Sequence, residues 1–590
     1  MSPKTQRRHA NSRPATSAEL VPDVSGQSPR VRLGDVLVRG GLVRRDVVEE
    51  VAGDAKERRL GEALLERGVL DELRLTAAIS EQLAVPVVDL RRSEPEGDAT
   101  RLVAAVDAHA RLVLPLSVHD GALTVAVADP LDDDVISLLR SLPVARVCLA
   151  LAVPTHLRKR INQTYSALSG VVDDVEAFRA SDTAPSGTTE TPLGEALVDA
   201  HAPIVQVVNK IITQALRDRA SDVHVEPGPA TVRVRFRIDG ALKDVVEFPD
   251  EMGPALVSRI KILADMNIVE RRRPQDGQFE MTIDDRHLDV RVSTTSTIWG
   301  EKTVLRLLDR TRSLYHLGDL GMPPESTEVY SRMIRAPFGM VIVGGPTGSG
   351  KTTTLYATLS EINRPDINVM TIEDPVEYVF PRINQIQISD QAGLTFATGL
   401  KSILRQDPDV ILVGEVRDIE TARIAVQSAL TGHRVFSSVH AIDAVSSLYR
   451  LLDMGIEPFL VTSAIVGIVA QRLVRRTCTS CAAPFDPSLP ELALYRKLGG
   501  GEKETWIRGE GCQFCAGTGY FDRIGVYEVL PITDEIRQCV IEARPPRETR
   551  DLAIEQGLST LQAEAVRLVE DNVTTMEEVA KHVIASEDFE

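Results

Sequence analysis

The sequence predicts an α/β protein of several domains: an open parallel sheet toward the C-terminus, a second α/β domain before it, and a small α-helical/α+β domain at the N-terminus. Three observations predict this. The chain has 590 residues, and a domain typically holds about 100–200. Four short apolar runs between Phe338 and Val439 each lead into a polar or glycine-rich segment, the pattern of strands buried on both faces. Upstream, Val232–Ile238 alternates strictly, and a repeated helical pattern lies between Arg32 and Gln82.

Composition bounds the function. Apolar residues make up 43% and charged residues 26%, a balance that supplies several cores. With 39 glycines and 33 prolines the chain is neither fibrous nor wholly disordered. The net charge of −18 argues against non-specific nucleic-acid binding, so no nucleic acid is expected as partner, although a local basic face stays open. The longest apolar run, Phe459 to Ala470, falls short of the about 18 residues that span a bilayer. The basic N-terminus lacks the apolar centre of a secretory signal. A cytosolic chain that reaches membranes only through a partner is expected. Six cysteines exclude a disulfide scaffold.

Residues 1–30 are polar and rich in Pro and Ser, and read as a disordered leader. Residues 31–166 form the N-terminal domain. There, Arg32-Leu33-Gly34-Asp35-Val36-Leu37 with Gly41-Leu42-Val43 returns twenty-seven residues on as Arg59-Leu60-Gly61-Glu62-Ala63-Leu64 with Gly68-Val69-Leu70. Each copy reads as a short helix, a glycine turn and an amphipathic helix, which is satisfied by two packed helical hairpins. Residues 110 to 165 read as a small α/β unit. Residues 167–197 turn polar and read as a linker. The second domain, 198–325, holds the alternation that sets Val232, Val234, Phe236 and Ile238 on one face and Arg233, Arg235 and Arg237 on the other. The arginine row is either a solvated sheet face or a phosphate-facing one, since guanidinium matches phosphate oxygens in bidentate geometry. Arg291 lies on a further strand-like run.

The last domain spans 326–590. The strand Phe338–Val343 runs into Gly345-Pro346-Thr347-Gly348-Ser349-Gly350-Lys351-Thr352-Thr353 and then into a helix. This is G-x-x-x-x-G-K-[ST] in its required strand–loop–helix setting, a P-loop for ATP. Its backbone N–H groups turn inward on a phosphate, Lys351 reaches the β/γ-phosphates, and the Thr352 hydroxyl ligates Mg²⁺. Three more strands end in Glu373-Asp374, Gly414-Glu415 and His440. Ligands of open parallel sheets sit beyond the carboxyl ends of the strands. Glu415 is therefore expected to activate water, Glu373 and Asp374 to share in metal or water positioning, and His440 to join them or to serve as a structural hydrogen-bonding residue.

The run Leu404–Asp418 (LRQDPDVILVGEVRD) resembles the signature of the type II/type IV secretion ATPase superfamily, in its branch of general secretion pathway protein E and type IV pilus assembly ATPases. Thr371–Glu377 is similar to that family's Asp box, and Thr431-Gly432-His433 through His440 to its His box, which places His433 among the candidates. The resemblance implies a RecA-like P-loop NTPase domain preceded by a PAS-like domain. It also implies a homohexameric ATPase, peripheral at the inner face of the cytoplasmic membrane, that turns an inner-membrane platform protein with its associated assembly proteins and acts indirectly on pilin-like subunits. On this resemblance Arg233, Arg235, Arg237 and Arg291 become a candidate arginine clamp across the cleft from Lys351.

Cys478-x-x-Cys481 and Cys512-x-x-Cys515, thirty residues apart, can give four thiolates to one Zn²⁺, in a module of about 474–525. Two redox pairs or free thiols are the alternative. The resemblance supports a structural tetracysteine site of assembly-type ATPases. Cys148 and Cys539 read as core residues. Lastly, Arg59-Leu60-Gly61 through Gln82 resembles the tandem cyclic di-GMP-binding motif of some family members; the first copy begins at Arg32 but has Ala55 in place of the terminal Gln. That implies a cyclic di-GMP site, with docking to a membrane-anchored partner as the other use. A nucleic-acid motor on the same P-loop core and a non-hydrolysing nucleotide-binding scaffold are the rival functions.

Overall fold

The computed structural model describes residues 19–21, 31–54, 59–91, 93–168, 171–182, 202–284, 286–309, 316–389, 392–515 and 517–584. The two sequence repeats are two helical hairpins, Leu33–Arg39 with Arg45–Asp54 and Leu60–Glu66 with Glu72–Leu83. The repeated glycine in each first turn has a packing reason. A Cβ on Gly34 would lie 2.9 Å from Val48 Cγ1, and one on Gly61 would lie 3.1 Å from Leu75 Cδ1, so only glycine lets each helix close on its partner. Val36, Leu37, Leu64 and Leu70 fill the space between the hairpins. Ala55 lies outside the described residues.

The α/β unit follows as a sheet in the order Glu19–Val21, Arg146–Leu151, Ala122–Val127, Val113–His119. The expected disordered leader thus contributes an edge strand: Glu19–Val21 pairs parallel with Arg146–Cys148 and buries Leu20. The dipeptide Leu20-Val21 is the apolar anchor in an otherwise polar stretch, most of which lies outside the described residues. The expected linker also begins later than its composition suggested. Val171–Asp182 is a helix whose Val171, Val175 and Phe178, spaced for one helical face, join the core of the second domain. Lys210 Nζ pairs with Asp174 Oδ2 at 2.6 Å to fix it. The polar remainder, residues 183–201, lies outside the described residues.

The second domain is a six-stranded sheet in the order Ala241–Pro249, Thr231–Ile238, Asp222–Pro227, Gly300–Asp309, Arg286–Thr297, Gln275–Ile283, antiparallel throughout. The helices Pro203–Arg217 and Gly253–Leu263 pack on it. Val232, Val234 and Phe236 are buried as the alternation requires.

The C-terminal domain is a seven-stranded sheet in the order Ile383–Gln387, Val369–Glu373, Val410–Val413, Arg434–Val439, Gly339–Gly344, Ile465–Thr477, Tyr520–Pro531. All neighbours are parallel except the last pair. The strand ending at His440 is inserted between the P-loop strand and the one ending at Glu415, as expected of a RecA-like core. Because the strands run the same way, Gly345, Glu373, Gly414 and His440 all emerge at one edge. Cys539 is buried in this domain, while Cys148 is half-buried on the strand Arg146–Leu151 of the N-terminal α/β unit.

Candidate nucleotide site and tetracysteine cluster

The loop after Gly339–Gly344 is shaped by glycines in a backbone region that strains other residues. Gly348 and Gly350 have φ of 78° and 89°, in the left-handed region. A Cβ on Gly350 would come 3.0 Å from Gln471 Nε2. Lys351 opens the helix Lys351–Ile362, and its Nζ donates to the carbonyls of Gly345 at 2.9 Å and Pro346 at 3.0 Å. Burial lowers the Lys351 pKa, against the opposing charge of Glu415. Thr352 and Thr353 are exposed in the first helical turn, Ser349 is buried, and Pro346 and Thr347 are exposed on the loop.

Glu415 follows Val410–Val413 and is held from several sides. His440 Nε2 lies 3.3 Å from Glu415 Oε2, and Arg417 bonds Glu415 Oε1. Arg417 also lies 3.8 Å from Asp374 Oδ2, tying the two strand ends together. Ser438 Oγ donates to the Gly414 carbonyl at 2.8 Å, and Val416 N to the Ser438 carbonyl at 3.0 Å, so the inserted strand sets where Glu415 stands.

Two candidates make other contacts. Glu373 is buried, and its carboxylate is taken by Tyr356 Oη, Thr371 Oγ1 and Gln385 Nε2, the last at 3.2 Å. It anchors the P-loop helix to its neighbouring strands in this arrangement. Strand parity explains this, because Glu373 shares a side with the buried Thr371. His433 precedes Arg434–Val439 and so belongs to the opposite end of the strand from His440, about 20 Å away at about 3.3 Å per residue. Its Nδ1 lies 3.0 Å from the Ser428 carbonyl, at the end of the helix Ile419–Leu430, which is a structural position.

The arginine row divides in the same way. Arg235 donates to Glu226 at 2.8 Å, Arg233 lies 3.9 Å from Glu226 and from Asp244, and Arg237 lies 3.7 Å from Asp222. Burial of Glu226 opposes its charge, but the bonds from Arg235 and Lys302 prevail and pull its pKa down to about 2. Arg291 alone of the four reaches the nucleotide domain, with Nη2 3.3 Å from the Val376 carbonyl and Nη1 3.6 Å from Glu377 Oε1. Glu377 N in turn donates to Tyr356 Oη at 3.1 Å, so a chain of contacts runs from Arg291 through Glu377 and Tyr356 to Glu373.

Gln471 is a site residue that motif reading passed over. From the strand Ile465–Thr477 its Nε2 donates to the Ser349 carbonyl at 2.6 Å, and its Oε1 accepts from Thr354 Oγ1 at 2.7 Å. It braces both ends of the loop-to-helix turn. The polar pair Gln471-Arg472 inside the otherwise apolar run Ile465–Val474 was the available signal.

The four cysteines form a compact group with all sulfurs within 4.8 Å. Cys478–Cys512, Cys481–Cys515 and Cys512–Cys515 Sγ separations are 3.9, 3.8 and 3.8 Å. A tetrahedron with Zn–S bonds of about 2.3 Å has edges of about 3.8 Å. The backbone N–H groups of Cys512 and Gly519 each reach Cys515 Sγ at 3.1 Å, donors suited to a thiolate. In the N-terminal hairpins, Gln82 Nε2 donates to the Val31 carbonyl at 3.0 Å and Arg59 pairs with Asp129. Arg32 lines a separate open cleft with Arg39 and Arg45.

A glycine loop with its lysine, and a glutamate two strands away at the same sheet edge, define a P-loop nucleotide-binding protein with an inserted central strand. More narrowly, the chain belongs to the family of type II/IV secretion system proteins, whose sequence profile matches residues 198–581. An MshEN domain matches residues 83–170, just after the second helical hairpin. The type IV pilus assembly ATPase PilB of Myxococcus xanthus (strain DK1622) is 39% identical over 558 residues, 93% of this chain and 98% of that relative. The type II secretion system protein E of Xanthomonas campestris pv. campestris is 39% identical over 529 residues, 87% and 91% of the two chains. Among solved structures, the pilus retraction motor PilT with bound ADP is 24% identical and covers 63% of this chain and 95% of its own, at a TM-score of 0.43. No helix among the described residues is long and apolar enough to cross a membrane.

Proposed function

We propose that the chain is an ATP-hydrolysing motor, working as a homohexamer, that drives assembly of a type IV pilus or a type II secretion pseudopilus. The observation that carries this reading is the convergence of Lys351 and Glu415 at one sheet edge, with Glu415 braced by His440, Arg417 and the Ser438 strand. In the proposed reaction Lys351 leaves its loop carbonyls for the β/γ-phosphates, where it neutralises charge that builds up in phosphoryl transfer. Glu415 orients the attacking water and accepts its proton, while His440 and Arg417 fix the direction of the carboxylate. Water oxygen bonds to the γ-phosphorus as the bond to the ADP oxygen breaks, giving ADP and phosphate. Mg²⁺, held through Thr352, would supply further charge neutralisation at the phosphates. Arg291 would report the position of the second domain to the nucleotide through Glu377 and Tyr356.

The sulfur separations fit a structural Zn²⁺ on Cys478, Cys481, Cys512 and Cys515, which would stabilise the module. Arg32, Arg59 and Gln82 are the candidate cyclic di-GMP residues, since arginine both stacks on guanine and pairs with phosphate. The proposed motor would work at the cytoplasmic face of the inner membrane, on a platform protein and its assembly partners, as the family resemblance implies.

The test is a strain carrying only Lys351→Ala, compared with wild type by mass spectrometry of sheared surface and culture supernatant. Loss of surface pilin with unchanged exoproteins assigns a pilus motor; loss of specific exoproteins with filaments intact assigns a secretion motor. A strain that loses neither contradicts the motor reading.

A further inference from the structure

The tetracysteine module does not stand apart from the rest of the molecule. Cys478, Phe514 and Cys515 share one apolar cluster with Leu157 and Ile161, which belong to the helix Pro154–Thr164 of the N-terminal domain. The His156 ring meets Phe514 edge-on at 5.4 Å between centroids. Between them sits Lys159, with Nζ 4.0 Å from the Phe521 centroid and 5.5 Å from that of Phe514. The second domain joins at the same point: Arg219 Cζ is 4.2 Å from the Phe521 centroid, and Asp522 N donates to Asp239 Oδ2 at 3.1 Å. Three domains therefore meet on the few residues that follow Cys512. Around that point an open cleft of about 1680 Å³ separates them. The N-terminal domain thus meets the module through the helix Pro154–Thr164, whose Asn162 Nδ2 also donates to the Arg217 carbonyl of the second domain at 2.8 Å.

Lys159 is the informative residue. Its side chain is half-buried, and the nearby Asp218 carboxylate acts on it. A cation in that setting needs an opposite charge nearby. Four thiolates around one divalent cation carry a net charge of −2, and the cysteines are among the groups whose charge acts on Lys159. Phe514, which lies between the ligands Cys512 and Cys515, and Phe521 supply their ring faces to the ammonium, so the loop that holds the metal also holds Lys159.

We propose that the metal-loaded tetracysteine module is the docking anchor of the N-terminal domain, and that Lys159 is the residue through which that domain reads metal occupancy. Metal loss then frees the N-terminal domain from the nucleotide domain, in addition to loosening the module itself. The proposal rests on the zinc reading above, and the experiment separates the two.

Hydrogen exchange by mass spectrometry on the full-length chain tests it, beside a metal assay. Wild type should hold about one zinc per chain and protect the helix Pro154–Thr164. In Lys159→Glu the zinc should stay, and exchange in that helix should rise by about tenfold or more, the scale of losing a desolvated cation–ring contact and gaining repulsion. Lys159→Met, which keeps the stem without the charge, should give a smaller rise, and Lys159→Arg should stay near wild type. Chelation of wild type should reproduce the rise. Wild-type exchange in zinc-bound Lys159→Glu, or an equal rise in the Arg variant, overturns the docking proposal and leaves the zinc reading intact. Purified wild type without zinc overturns both. Should the Glu variant fail to fold, Lys159→Met and chelation decide: unchanged protection in both refutes the anchor.

Discussion

The carboxyl edge of the parallel sheet and the arginine face of the second domain both collect charges on neighbouring strands, but they complete themselves differently. On the second domain, Glu226 and Asp222 answer Arg233, Arg235, Arg237, Arg306 and Lys302 from within the same sheet. At the parallel edge, Lys351 donates to two backbone carbonyls, and Glu415 is paired with Arg417 and an exposed His440. A charge row closed inside its own sheet reads as architecture. One left with capacity at the ends of strands reads as a site. Arg291 is the exception on the antiparallel sheet, because its contacts lie on the other domain.

The widest break in this comparison should come from Lys351. Lys351→Ala should cut ATP turnover by about 10²–10³-fold with an unchanged melting temperature, as expected for a lost phosphate-neutralising group; loss of folding would place Lys351 with the structural charges instead. Glu226→Ala should do the reverse, leaving several cations without their carboxylate and lowering unfolding free energy by about 1–3 kcal/mol in denaturant titration. The pH dependence carries the same sign: with its folded pKa drawn down to about 2, Glu226 contributes stability above the ordinary carboxylate range that is lost as pH falls through about 2. Arg291→Ala should fall between the two, lowering turnover by about tenfold through Glu377 and Tyr356 with little effect on stability; if Arg235→Ala matched it in turnover, the division of the arginines would fail.

The smallest effect belongs to His109, at the seam of the N-terminal and second domains. Burial and the nearby Arg217 push its pKa down to about 4. Its folded state favours the neutral ring, so stability is complete above the ordinary histidine range near 6.5 and is lost as pH falls toward about 4. A His109→Gln variant should flatten the melting temperature profile across that window.

Much of this was legible because the informative residues are contiguous. The P-loop, the Glu415 strand and both cysteine pairs are each read within a few positions, and strand direction alone assigns Glu415 and His440 to one edge. His433 shows the limit of reading a box as a unit, since the same strand direction places it at the far end. Glu373 shows the limit of reading strand ends without parity, because it turns to the side of Thr371. Gln471 stands more than a hundred residues from the loop it braces, and no local pattern joins them. The leader strand was masked by polar composition, since only Leu20 and Val21 mark it. The meeting of Lys159 with Phe514 and Phe521 is tertiary, and no spacing in the sequence announces it.

The most direct test of the central claim is ATP turnover by the purified full-length chain with Mg²⁺, in wild type and Glu415→Gln. The account predicts that Glu415→Gln binds ATP as wild type does and hydrolyses it at least about 10²-fold more slowly, the scale of losing a general base. Equal turnover in the two proteins would contradict it and leave a nucleotide-binding scaffold.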